Sequence, residues 1–203
     1  MARRGSPPGP EHPSPGEPGP VARGFAQAVA ELGRIPERLD ETQISAFMDA
    51  ILQAPRIFCI GAGREGLATR AFAMRLMHLG KPVHWIWDDT TPAIGRGDLL
   101  IATSGSGEIG HIDQVIDRAK EAGGDIAVVT ADPAGRSVQK AQVVLWLPAA
   151  AYKAKVEVVA STQPMGNLFE QALLILFDQI VVALAARLSA TPQAMAARHR
   201  NVE

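Results

Sequence analysis

The segment Leu99-Leu100-Ile101-Ala102-Thr103-Ser104-Gly105-Ser106-Gly107-Glu108 decides the fold. Its apolar start describes a strand buried on both faces, as in a parallel sheet. Small and hydroxylated residues then follow abruptly, and a helical pattern opens near Gly110. Such a loop turns sharply on its glycines. It presents backbone N–H groups and two hydroxyls at a helix N-terminus, where an anion is favourably bound. An earlier strand, Ile57–Ile60, ends the same way in Gly61-Ala62-Gly63-Arg64-Glu65-Gly66. Two glycine loops at the C-terminal ends of two parallel strands define one crevice.

Outward from these units the same alternation continues. A helix is expected over 66–79, a strand over 83–87, a turn at Thr91-Pro92, and a helix over 110–122. Strands follow at 126–129 and 143–147, then a long helix over 166–188. Thr191-Pro192 has the form of an N-cap and first helical residue, opening a last short helix. Upstream, Phe25, Val29 and Leu32 fall on one helical face, and Ile44, Phe47, Met48, Ile51 and Leu52 on another. Alternating strands and helices imply an α/β fold with an open parallel sheet covered on both faces. Ligands bind such sheets beyond the strand C-termini, near the switch point of strand order.

Composition bounds the rest. The 203 residues suffice for one domain with a complete core, and 47% hydrophobic with 20% charged residues is ordinary for a globular chain. A net charge of -1 offers no attraction for nucleic acid or acidic membranes. The single cysteine, Cys59, excludes an internal disulfide and fits a buried small hydrophobe. Residues 1–20 hold seven prolines and four glycines, a composition expected to stay disordered, with the domain running over 21–203. There is no secretory signal pattern, and the apolar run 172–188 is broken by Asp178, Gln179 and Arg187. A cytoplasmic protein without a membrane span is expected. The stripe Leu173, Leu176, Phe177, Ile180 and Leu184, with apolar residues on neighbouring faces, points to a homo-oligomer.

The first glycine loop fits G-x-G-x-x-G, and Asp88 or Asp89 falls where a dinucleotide site would place its acid. The serine-rich second loop suits a monophosphate instead. No His, Cys, Asp and Glu spacing suits a metal, and no Ser-His-Asp order stands out. Trp85, Trp87 and Trp146 fall at strand positions and are expected in the core.

Several blocks together carry a resemblance. They are Gly61-Ala62-Gly63-Arg64, the run from Ala71 to Gly80 (AFAMRLMHLG), Thr90-Thr91-Pro92-Ala93-Ile94-Gly95, and Gly97-Asp98-Leu99-Leu100-Ile101. Pro164-Met165-Gly166-Asn167-Leu168-Phe169-Glu170 and the C-terminal Arg198-His199-Arg200-Asn201-Val202-Glu203 complete the set. From about Ile57 to Glu203 the chain resembles the sugar isomerase (SIS) family, and within it the 6-phospho-3-hexuloisomerases. The resemblance implies a single SIS domain with a five-stranded parallel sheet flanked by helices, a flavodoxin-like three-layer sandwich. It also implies a tetramer, a sugar-phosphate substrate and no cofactor. The implied reaction interconverts D-arabino-hex-3-ulose 6-phosphate and fructose 6-phosphate through an enediol, alongside a hexulose-phosphate synthase as pathway partner. An isomerase for another sugar, or a non-catalytic sugar-phosphate binder, are the alternatives. Two positions depart from the family pattern: Glu65 stands where serine is usual, and Ile109 where threonine continues the phosphate loop. Arg64 or Arg75 is placed to neutralise Glu65.

The chemistry selects residues. Moving a ketone between C3 and C2 requires a base at carbon and proton transfer between the two oxygens. Glu170, in the first turn of the long helix, is the expected base, the alternative being a carboxylate that stabilises a helix N-terminus. His199 is the expected second group, reaching a neighbouring subunit's site, against a plain surface histidine. Ser104, Gly105, Ser106 and Gly107 are expected to hold the phosphate, with Gly63, Arg64, Thr90 and Thr91 facing the sugar. His78 is as consistent with a helix C-terminus as with catalysis, and Glu108 with capping its own helix.

Overall fold

The computed structural model describes residues 18–202. Most of the segment expected to be a disordered tail lies outside them, and the first helix, α1 (Pro20–Leu32), opens at its last residue. There follow α2 (Glu41–Gln53), β1 (Ile57–Ile60), α3 (Gly63–His78), β2 (Val83–Trp85), β3 (Leu99–Thr103), α4 (Gly110–Glu121) and β4 (Asp125–Thr130). The chain continues through β5 (Val143–Trp146), α5 (Asn167–Arg187) and α6 (Pro192–Ala196). All strand pairs are parallel, in the order β2-β1-β3-β4-β5. This is the doubly wound order with its switch between β1 and β3, so the expected three-layer fold is the one observed. Ile60 is in register with Ala102, which sets the two glycine loops side by side.

Strand alternation sorts the core into two layers. Ile57, Cys59, Leu99, Ile101, Ala127 and Val129 face α2, α3 and α5. Phe58, Ile60, Leu100, Ala102, Ile126 and Val128 face Ile112, Ile116 and Ala119 of α4. Three rings bind the helices of the thicker layer: Phe72 of α3 stacks on Phe177 of α5 at 4.1 Å, with Phe47 of α2 at 6.3 and 6.4 Å. Caps fix the helix starts. The Asp40 carboxylate accepts from the N–H groups of Thr42 and Gln43, and the Thr191 hydroxyl accepts from that of Ala194. Cys59 is fully buried, and burial pushes its thiol up to about 12, so it serves as a core residue.

Three expectations are corrected. β2 stops at Trp85 because its carbonyl oxygen accepts from the Thr91 hydroxyl at 2.6 Å and from Asp88 N–H at 3.0 Å, closing a turn. Trp87 therefore leaves the sheet and is 57% exposed. α3 begins at Gly63 rather than Gly66, which places Arg64 and Glu65 in its first turn. In α1 the expected inward face is exposed at Phe25 and Val29, and the fully buried residue is Glu31.

Candidate active site

The first loop owes its path to two glycines in contact. A Cβ on Gly61 would lie 2.9 Å from Gly66 Cα and 2.3 Å from Thr103 Oγ1, and one on Gly66 would lie 2.5 Å from Gly61 O. Only hydrogen at both positions lets the end of β1 press against the start of α3. Thr69 and Thr103 lock this junction through a buried hydroxyl pair at 2.8 Å. The pinned first turn of α3 projects Arg64 outward and Glu65 toward the second loop.

In that second loop Gly105 is the meeting point. Its N–H donates to Glu65 Oε2 at 2.9 Å, and a Cβ there would lie 2.6 Å from Glu65 Oε1 and 3.2 Å from the Phe169 ring. Burial pushes the Glu65 carboxyl up to about 7; the Gly105 bond opposes that shift, and the negative charge of Glu170 adds to it. Gly107 has φ +67 and touches Gly135, tying the loop to the turn after β4. Ser104 is buried beneath the loop, its hydroxyl 3.5 Å from that of Ser137, which donates to Asp113 at 2.5 Å. Ser106 is more open, and its hydroxyl accepts from Glu108 N–H. Glu108 itself is exposed and precedes α4; the acidic residue in that helix's first turn is Asp113, paired with Arg136. Ile109, at the N-cap, packs on the thinner core layer and leaves the helix start without a side-chain cap.

Glu170 reaches the site from a strained corner. Met165 (φ 58) and Gly166 (φ 83) both take left-handed conformations in the turn Pro164–Gly166 just before α5. A Cβ on Gly166 would collide with Tyr152 N at 2.5 Å. The Glu170 side chain is 15% exposed, and its Oε2 lies 2.6 Å from Arg64 Nε. That buried oxygen accepts no well-directed hydrogen bond among the described residues, so the ion pair leaves accepting capacity unused. Arg64, Glu170 and Gln171 line a cleft of about 430 Å3 with Leu67, Ala71 and Leu174. A larger groove of about 690 Å3, between α1, α2 and α5, is lined mainly by residues such as Leu32, Leu39, Ile44 and Leu176 and offers nothing to hold a phosphate.

The remaining expected residues fall elsewhere. Arg64 pairs with Glu170 and not with Glu65, while Arg75 lies at the far end of α3 near His78. Neither guanidinium neutralises Glu65. Thr90 is exposed, and Thr91 spends its hydroxyl on Trp85. His199 stacks on His78 at 5.2 Å, where Arg198 also donates to the His78 carbonyl oxygen. This is the opposite end of α3 from Arg64, roughly 20 Å along the helix axis. Burial holds His78 below its usual range, with the charges of Arg75 and His199 adding to the effect. Within one chain, therefore, Glu170, Arg64, Glu65 and Gly105 come together, and His199 does not join them.

Sequence reading did not anticipate the support behind Glu170. Glu31 of α1 is fully buried and accepts from Ser161 Oγ, from Thr162 N and Oγ1, and from the side-chain amides of Gln27 and Gln163. Gln163 exchanges two amide bonds with Gln171, the neighbour of Glu170. One acid in an otherwise unremarkable helix carries no sequence signal of that role.

Comparison with known proteins gives the chain's relatives. The family model for the SIS domain matches residues 50–175. A 3-hexulose-6-phosphate isomerase of Bacillus subtilis is 33% identical over 88% of this chain and 96% of its own length. The enzyme of the same name from Mycobacterium gastri is 37% identical over 85% of this chain and 86% of its own length. A solved structure of a hypothetical protein from Methanococcus jannaschii, for which a 3-hexulose-6-phosphate isomerase function is inferred, superposes with a TM-score of 0.75. It is 30% identical and covers 89% of this chain and 98% of that one.

Proposed function

The chain belongs to the SIS domain family, and on that premise we propose that it is an isomerase interconverting D-arabino-hex-3-ulose 6-phosphate and fructose 6-phosphate. The observation that carries the reading is the buried Glu170 carboxylate, paired with Arg64 at the mouth of a cleft beside the glycine loops. The relatives' shared name supplies the substrate. The open start of α4, with the Ser106 and Ile109 N–H groups just before it, is suited to the 6-phosphate, as helix N-termini are. The Gly105 N–H expected to join them is taken by Glu65, and those of Ser104, Gly107 and Glu108 bond within the protein.

In the direction of fructose 6-phosphate, Glu170 takes the proton from C2 of the 3-ketose, and the electrons form a C2–C3 double bond as O3 gains a proton. The enediol collapses when O2 loses its proton and the carbonyl forms at C2. The proton held by Glu170 then returns to C3. One carboxylate thus serves both carbons. Arg64 orients it and meets substrate oxygens. A 3-ketose phosphorylated at O6 cannot close a five-membered ring through that oxygen, so no ring-opening group is required in this direction. The same reading includes a cytoplasmic homotetramer working with a hexulose-phosphate synthase. The apolar residues Leu174, Ile175 and Val182 exposed on α5 support assembly.

The reading is tested with a substrate pair. Hex-3-ulose 6-phosphate and the unphosphorylated hexulose are offered, and the fructose product of each is measured. Turnover of the phosphorylated sugar at least about 100-fold more efficient is expected, since a phosphate held by charge-assisted bonds contributes several kcal/mol. Equal turnover of both, or none of either, overturns the assignment.

A further inference from the structure

The isomerisation needs a second proton carrier, for the proton that moves from O2 to O3, and His199 lies at the wrong end of α3 within its own chain. We propose that Glu65 is this group: it passes the proton between the two substrate oxygens while Glu170 passes the other between the two carbons. The inference rests on the isomerase reading above.

The geometry suits the task. Glu65 Oε2 is fixed by Gly105 N–H at 2.9 Å, while Oε1 has no hydrogen-bond partner among the described residues. The carboxyl is therefore oriented, yet keeps one oxygen free for substrate. It stands between the phosphate-binding loop and the helix that carries Glu170, near enough for the Glu170 charge to act on it. Two carboxyls in one site divide their roles when one is neutral and the other ionised. Burial and the Glu170 charge supply that asymmetry by raising Glu65 to about 7, whereas Glu170 has Arg64 as its counter-ion. Among the described residues the charge acting on Glu65 is that of Glu170 on α5, and Arg64, its neighbour on its own helix, is turned to Glu170. The second loop turns backbone to it and keeps Glu108 exposed, and Lys153, after β5, lies over the Tyr152 ring.

The steps balance. As Glu170 removes the C2 proton, the C3 carbonyl π electrons take the proton of neutral Glu65, giving the enediol and a Glu65 carboxylate. That carboxylate then removes the O2 proton, the C2 carbonyl forms, and C3 takes its proton from Glu170. Both side chains return to their starting states, and no other reactant enters.

The test compares pH profiles of kcat and KM for the full chain, Glu65→Gln, Glu65→Asp and His199→Gln, with hex-3-ulose 6-phosphate as substrate. Because the neutral acid is the active form, wild-type kcat/KM should fall as pH rises through about 7. Glu65→Gln keeps an acceptor for Gly105 but carries no transferable proton. It should lower kcat about 100-fold or more, change KM less than about threefold, and abolish that limb. Glu65→Asp should recover part of kcat and shift the limb; should the glutamine variant not fold, this variant decides alone, by a loss in kcat without one in KM. A Glu65→Gln enzyme within about threefold of wild-type kcat, or an alkaline limb that disappears in His199→Gln instead, overturns the proposal while leaving the isomerase reading intact. Absence of wild-type turnover overturns the reading itself and this role with it.

Discussion

At Glu65, function and stability pull in opposite directions. Burial disfavours its charge and pushes the carboxyl up to about 7 from an ordinary value of 4.5. A raised carboxyl contributes stability below its unfolded value and loses that contribution as pH rises through the folded one. Glu65→Gln should therefore melt close to wild type at pH 4 and above it at pH 8. The gain should be about 1–2 kcal/mol once solvent screening of the half-buried group is allowed for. Thermal melts of both proteins across that range check it, and a constant difference would contradict it. Gly105 offers a second prediction. A methyl group there meets Glu65 at 2.6 Å, Ala151 at 3.0 Å and Phe169 at 3.2 Å. Gly105→Ala should push Glu65 off its N–H and reduce kcat at least about tenfold, measured beside Gly24→Ala in α1, where the added methyl meets nothing within 4 Å.

Among the elements, α5 and the turn before it carry the site, and α1 holds that turn in place. The five donors on Glu31 keep its carboxyl far below the usual carboxylate range, chiefly through Ser161 and Thr162. A depressed carboxyl stabilises the fold above its unfolded value and loses that contribution as pH falls toward the folded one. Glu31→Gln should thus cost about 1.5–3 kcal/mol at pH 7, the range of a bond to a charged group, with the deficit shrinking below pH 4.5. Chemical denaturation at pH 7 and pH 4 measures both. The limits of sequence reading show at this scale too. Unbroken apolar runs made β1 and β3 legible, and the small residues after them marked the crevice. The place of Glu170 in the first turn of α5 was legible from its block, and that of Thr191 from its cap. The end of β2 was not, because a hydroxyl six residues further along, on Thr91, closes the turn that ejects Trp87. Nor was the partner of Arg64: periodicity places a guanidinium on a helix but does not choose between Glu65 and Glu170.

Across the molecule, one sheet sets both loops at the same end, and Glu170, Arg64, Glu65 and Gly105 gather there. His199 was expected to act in a neighbouring subunit, and its place against His78 leaves that role as a proposal about assembly. α5 is apolar around its circumference, with Leu174, Ile175 and Val182 uncovered, and α1 exposes Val21 and Phe25. Light scattering of the purified chain should give a tetramer. Paired Ile175→Glu and Val182→Glu substitutions should shift it to smaller species without loss of helical signal; an unchanged mass would remove α5 from the interface.

The most direct test of Glu170 as the isomerising base pairs two readings on wild type and Glu170→Gln: turnover of hex-3-ulose 6-phosphate, and calorimetric binding of fructose 6-phosphate. Wild type should do both, and the variant should bind within about threefold while losing at least about 1000-fold in kcat. Turnover that survives the substitution, or a wild-type protein that binds without turning over, would contradict the assignment.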